Sequence, residues 1–159
     1  MQRLEIGWAF AVVKTVHVYV SLERDEDGYP PFDVEELDAI DLGGGEFRIT
    51  SAPAFVYGLA PGDIVQGKKI AQDMRVWVVE VLRSSDNWLA CIMPRDRYDI
   101  VDILEQFRLL GCDARVTQYG LVTVVIPARV AVTPIMKRLQ DGQDATCKWY
   151  FDLGVAPPG

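Results

Sequence analysis

The feature that most narrows the choice of fold is the order of hydrophobic periods between Trp88 and Phe151. Trp88 to Met93 is a strand-like apolar run that stops at Pro94. Ile100, Ile103, Leu104, Phe107 and Leu110 then recur at helical spacing, with Asp99 and Asp102 near the positive end of the backbone dipole. Gly111 is the residue type that closes a helix in a left-handed conformation. Arg115 to Gln118 and Leu121 to Ile126 flank Tyr119-Gly120, a hairpin signal. Thr133-Pro134 has the chemistry of a helix start, Ile135, Met136 and Leu139 form a short apolar stripe, and Gly142 is expected to end it. Cys147, Trp149 and Phe151 alternate with Thr146, Lys148 and Tyr150 as a closing strand. Strand, helix, strand, strand, helix, strand is the order of a ferredoxin-like βαββαβ unit, expected over residues 87–159.

The first half has a different rhythm. Val16, Val18, Val20 and Leu22 alternate with polar neighbours, so one face of that strand is apolar, and His17 is expected to be exposed beside Tyr19. Phe47 and Ile49 alternate with Glu46, Arg48 and Thr50, and Pro53 breaks the run because it cannot donate to a ladder. Phe55 and Tyr57 then bring two rings to one face, and Pro61-Gly62-Asp63 supplies type II turn chemistry before Ile64 and Val65. Met74 to Leu82 is nearly continuous apolar sequence, as in a strand covered on both faces, with Trp77 expected in the core. Short strands with glycine and proline corners suit a small bent β-sheet or partial barrel over residues 1–86, with Arg83 to Asn87 as the boundary. The expected class is therefore α+β, in one compact unit whose halves share a core through Trp77, Trp88 and Trp149. The N-terminal MQRLEIGWAFAVVK is read as an extra strand or packing arm.

Charge is concentrated in one place. Residues 23–46 carry ten carboxylates against Arg24 alone, while the whole chain has a net charge of −7, so the remainder is slightly positive. Such a segment focuses field toward a cationic partner and argues against nucleic acid. Asp25, Glu26, Asp27, Asp33, Glu35, Glu36, Asp38 and Asp41 are the candidate partner-binding residues. Gly43-Gly44-Gly45 lacks the strand, helix and lysine of a phosphate loop and is read as a hairpin tip. Cys91, Cys112 and Cys147 are widely spaced in apolar or strand-like surroundings, which fits buried, reduced thiols in a cytoplasmic protein, and His17 is the sole histidine. No metal-ligand spacing and no cofactor loop is present in the sequence, and no apolar run is long enough to span a bilayer as a helix. Arg95, Asp96 and Arg97, just before the first helix, offer an anion site or, more ordinarily, local salt bridging.

The DEDGYPP entry at Asp25–Pro31, the YG-x-x-x-GD corner from Tyr57 to Asp63 and the closing CKWYFDLG strand resemble the bacterial family known as domain of unknown function 4265, over roughly residues 16–154. The resemblance implies a small bacterial cytosolic protein and carries over no activity and no catalytic residue. From the residues themselves, three functions are open. The first is a non-enzymatic binder of a basic protein, most concretely an immunity protein that neutralises a secreted bacterial toxin domain through its acidic surface. The second is a small-molecule or regulatory module using a groove between the halves, lined by Tyr57 and Trp88. The third is a carboxylate-dependent hydrolase or transferase built on the acidic segment.

Overall fold

The computed structural model describes residues 14–70 and 72–158; the expected N-terminal strand or arm lies outside the described residues. The chain is α+β, and its first five strands close into a barrel: β1 (Thr15–Ser21), β2 (Val34–Gly43), β3 (Glu46–Ile49), β4 (Ile64–Lys69) and β5 (Val76–Arg83). Each neighbour in that order is antiparallel, and β5 returns to lie parallel to β1 through Val18 opposite Val76 and Tyr19 opposite Trp77. The alternation read from the sequence sets which side chains point inward. Val18, Leu37, Ala39, Phe47, Ile49, Leu59 and Val65 fill the barrel, while His17, Tyr19, Glu36 and Arg48 of the same strands stay outside it.

The corner after β3 is built as a turn with a buried clamp. Asp63 donates its N–H to the Ala60 carbonyl at 3.1 Å, with Gly62 at φ +92°, where a side chain would be strained. Its carboxylate is 3% exposed and accepts the N–H groups of Ala60 at 2.9 Å and Ser85 at 2.7 Å. Asp63 thereby ties the central corner to the connection between the two halves.

The second half runs β6 (Trp88–Pro94), a 3-10 turn (Arg97–Asp99), α1 (Ile100–Leu109), β7 (Asp113–Val116), β8 (Val122–Ile126), α2 (Val132–Gln140), a π turn (Asp141–Ala145) and β9 (Trp149–Val155). Its four strands lie in the order β7-β8-β6-β9, every pair antiparallel, which is the ferredoxin-like arrangement. Both helices cover one face, where Trp88, Ala90, Ile92, Ile103, Phe107, Ile135, Leu139 and Trp149 pack together.

Several sequence expectations are corrected. The α2 helix begins at Val132 with Ala131 as its cap, so Thr133 does not cap it. Pro134 still fits because N–H groups in the first turn have no intrahelical acceptor. Gly142 does not stop the helix but sits buried inside the π turn, where a Cβ would be driven into the Trp149 indole. That close approach lets Trp149 donate Nε1–H to the Leu139 carbonyl at 3.0 Å. The β5 strand is not covered on both faces: Val79 and Val81 are 55% and 45% exposed, because a single barrel wall has no layer outside it. Trp77 accordingly lies on the outer side, its ring 5.9 Å from that of Tyr19 and 4.9 Å from the Arg75 guanidinium, with Nε1–H donated to Asp73. Trp88 and Trp149 share the core of the helix-covered sheet, but Trp77 belongs to no core that joins the halves; the barrel and the sheet each have their own. Among the cysteines, Cys112 is buried, Cys91 is half-buried and Cys147 is exposed.

The halves are joined instead by polar stitches and rings. Gly58 donates its N–H to the Gly154 carbonyl at 2.8 Å. Asn87 donates Nδ2–H to the Pro61 carbonyl at 2.9 Å and accepts the Ala128 N–H at 3.3 Å. Phe32 and Phe55 pack on Tyr119 of the β7–β8 loop with centroids 5.0 and 5.2 Å apart.

A Gly142→Ala variant is expected to lose about 2–3 kcal/mol in urea denaturation, the cost of overfilling a packed site. Adding Trp149→Leu should make the glycine substitution far less costly than it is alone. An unchanged midpoint in the single variant would contradict the close approach.

Candidate functional site

The site arises from the two-residue period of β6 and β9. Trp88, Ala90 and Ile92 point to the helices, so Leu89, Cys91 and Met93 point to the opposite face of the sheet. On β9, Trp149 faces the helices, while Tyr150, Asp152 and Gly154 share the other face; Asp152 stands opposite Cys91 and Tyr150 opposite Met93. The barrel's loops close over this face incompletely. Between them lies a cleft of about 850 Å³, walled on the barrel side by Val20 to Asp25, Tyr29 and Pro53 to Tyr57.

Local structure explains how the barrel presents those groups. Glu35 is in phase with Leu37 and Ala39 and lies at the barrel's end, where its carboxylate accepts the N–H groups of Ala54, Phe55 and Val56 at 2.6, 2.9 and 3.0 Å. One side chain thus shapes the 53–57 loop. Tyr57 reaches from that loop across the cleft and donates its hydroxyl proton to Asp152. This hydrogen bond, then burial and the carboxylate's charge, push the Tyr57 phenol up to about 12. Burial, followed by the charges of Asp152 and Glu35, pushes the Cys91 thiol up to about 11. A thiol so poised is a poor nucleophile. The sole histidine stands elsewhere, on the outside of the barrel, with Nδ1 3.0 Å from Asp38 and 3.6 Å from Glu36.

The acidic segment does not form one surface. Glu23, Asp25, Glu26 and Asp27 lie together on the exposed loop at the cleft rim, Asp25 also accepting the N–H groups of Asp27 and Tyr29 at 2.9 Å. Asp33 is paired with Arg24 at 2.9 Å. Glu36 and Asp38 flank His17 outside the barrel, Glu36 also accepting the Tyr19 hydroxyl at 3.0 Å. Asp41 caps Gly43 at the far hairpin, at 2.8 Å. The segment thus divides: Glu23 and Asp25 line the cleft, while Glu35, Glu36 and Asp38 of β2 line a separate hollow.

Of the two groove residues expected, Tyr57 lines the cleft and is 66% exposed, whereas Trp88 is fully buried in the helix-side core. Trp88 is out of phase by one residue; its neighbour Leu89 takes the cleft position. Tyr29, Cys91, Tyr150 and Asp152 were missed. For Cys91, Tyr150 and Asp152 the signal was the second phase of the β6 and β9 alternation, with an aspartate within an apolar strand as its sharpest mark; Tyr29, in the loop before β2, has no such periodic signal. Arg95, Asp96 and Arg97 form no anion site: Arg95 stacks on Tyr150 at 4.4 Å, Arg97 on Tyr98 at 5.2 Å, and Asp96 caps the 3-10 turn. Among the described residues no group of three or more His, Cys, Asp or Glu could hold a metal ion, and no helix is long and apolar enough to cross a membrane.

The raised Tyr57 pKa has a direct consequence. Its folded value exceeds the ordinary 10.0, so the hydrogen bond stabilises the fold fully below about pH 10 and is lost as pH rises toward about 12. In near-ultraviolet titration, the difference between the native protein and Tyr57→Phe should centre near pH 12. The same difference taken in an Asp152→Asn background should fall back toward 10. A native difference already centred at 10 would contradict the contact.

A comparison with curated proteins finds no match. A solved structure, the novel crystal structure of a hypothetical protein from Neisseria gonorrhoeae, is similar with a TM-score of 0.73 over 92% of this chain and 98% of that one, at 18% identity. That likeness shows the fold. The matching family model spans residues 35–149, which takes in the 57–63 corner, both helices and most of the cleft's sheet but not the 25–31 entry. The chain therefore belongs to the family described as Domain of unknown function (DUF4265).

Proposed function

We propose that the protein is a non-enzymatic binding protein that holds a basic segment of a partner protein in the cleft between its halves, and that the partner is a bacterial toxin domain neutralised by being held. The observation that carries this is the cleft's composition. Its walls are apolar and aromatic, and among the described residues its charged groups are Glu23, Asp25 and Asp152 against a single Arg24, which is spent on Asp33. Carboxylates at the rim of an apolar groove steer a cationic partner inward, and the walls then bury its aliphatic side chains. A binder also accommodates the site's chemistry: the half-buried Cys91 thiol has a raised pKa, and no histidine lines the cleft. Glu35, the carboxylate behind the 53–57 wall, has both oxygens committed to backbone N–H groups. Three free cysteines accord with a reducing, cytoplasmic location.

A second reading, a small molecule as occupant, is favoured by volume: about 850 Å³ lies within the range of ligand pockets, roughly 300–1,000 Å³.

The test uses paired affinity baits, the native protein and Met93→Trp, whose indole would fill the cleft from an exposed position on β6. The native bait should retain a basic protein from the source bacterium that Met93→Trp releases. Co-expression of that protein with the native chain should restore growth, and co-expression with the filled variant should not. Equal retention by both baits would remove the cleft from the mechanism, and growth arrest despite the native chain would remove neutralisation.

A further inference from the structure

Asp152 is a carboxylate whose capacity the fold leaves half used. Other aspartates are consumed locally: Asp33, Asp73, Asp113 and Asp141 each pair with a lysine or arginine at 2.6–3.0 Å, and Asp25, Asp41, Asp63 and Asp96 cap backbone N–H groups. Asp152 instead stands in mid-strand along the cleft, exposed to solvent there, opposite Cys91, between Tyr150 and Gly154 of its own face. Its Oδ2 accepts the Tyr57 hydroxyl. Among the described residues its Oδ1 has no hydrogen-bond donor and neither oxygen has an ion-pair partner.

The surroundings match a cation and repel an anion. Tyr29, Phe55, Tyr57 and Tyr150 bring aromatic rings to the same cleft, and aromatic faces attract guanidinium and ammonium groups. The Tyr150 ring is already taken by the chain's own Arg95 guanidinium, 4.4 Å from its centroid, so that face is not open to an incoming cation. Aspartate is disfavoured in strands, and an unpaired carboxylate becomes costly once its surroundings are dried. A basic side chain that arrives with the occupant removes that cost as it covers the carboxylate.

We infer that Asp152 is the anchor for one arginine or lysine side chain of the bound segment, its charged head on the free Oδ1 and its aliphatic stem along Leu89, Met93 and the tyrosine rings. Tyr57 is a positioning residue: its hydroxyl holds one carboxylate oxygen and leaves the second without a partner among the described residues. The inference rests on the reading of the cleft as a seat for a basic segment and adds which group selects the charge.

Fluorescence anisotropy tests it with a labelled nonapeptide of alternating arginine and leucine, its lysine counterpart, and a version with norleucine in place of arginine. The native protein should prefer the charged peptides. Asp152→Asn should weaken them about tenfold and leave the norleucine peptide unchanged. Asp152→Glu should restore part of the loss, and melting curves should show each variant folded. Neutralising the rim through Glu23→Gln and Glu26→Gln should mainly flatten the salt dependence. If Asp152→Asn binds as tightly as native while the rim variant does not, the rim reads the charge and this assignment falls, with the cleft reading intact. If no peptide binds the native protein, the seat for a basic segment falls, and Asp152's role with it. If spermidine binds the cleft more tightly than any peptide, the occupant is a free polyamine and the protein partner is overturned.

Discussion

The second half packs both of its helices on one face of its sheet, and much of the molecule follows from the need to cover the other face. Leu89 and Val125 on that face are 1% and 7% exposed, so the barrel's loops already do part of the covering. The 53–60 loop is the main cover. Glu35 holds its near end by three N–H groups, Asp63 holds its far end by the Ala60 N–H and ties it to the Ser85 N–H of the inter-half connection, and Gly58 joins it to β9 by a backbone hydrogen bond. These contacts are polar and directional, so they fix the loop's height above the sheet as well as its attachment. A loop held at that height leaves the cleft open instead of collapsing into it.

Electrostatics then decide what suits the opening. The fold spends the acidic segment at several sites, as a loop organiser at Glu35, as an ion pair at Asp33, as a partner of His17 at Asp38, and as a hairpin cap at Asp41. What it leaves at the cleft is a short acidic rim and Asp152. In the proposed binding of a basic segment, long-range steering falls to the rim and short-range selection to Asp152. The rim acts through solvent and is screened by salt, whereas Asp152 acts in a place that an occupant would dry.

Much of the fold was legible because its signals are local. The change of period from Trp88 onward gave the ferredoxin-like order, and the Pro61-Gly62-Asp63 corner gave its turn. The errors arose where a residue's role depends on a distant neighbour. Gly142 reads as a helix stop until Trp149 is seen against it, and Trp77 reads as core until the outer side of β5 is seen to lack a covering layer. The site was half legible. Tyr57 belongs to it, but Trp88 was assigned to the wrong side because a strand's two faces cannot be told apart until the helices have chosen one. The acidic segment looked like one surface because sequence proximity was taken for spatial proximity, which a ten-residue strand with alternating faces defeats.

The most direct test of the cleft as the working surface is a nitrogen-15 amide spectrum recorded while the arginine–leucine peptide is added. Shift changes should concentrate at Leu89, Cys91, Met93, Asp152 and the 53–57 loop, with the outer barrel residues Glu36 and Asp38 unmoved. Changes centred on Glu36, Asp38 and His17, with the cleft silent, would place recognition on the outside of the barrel and contradict the central claim.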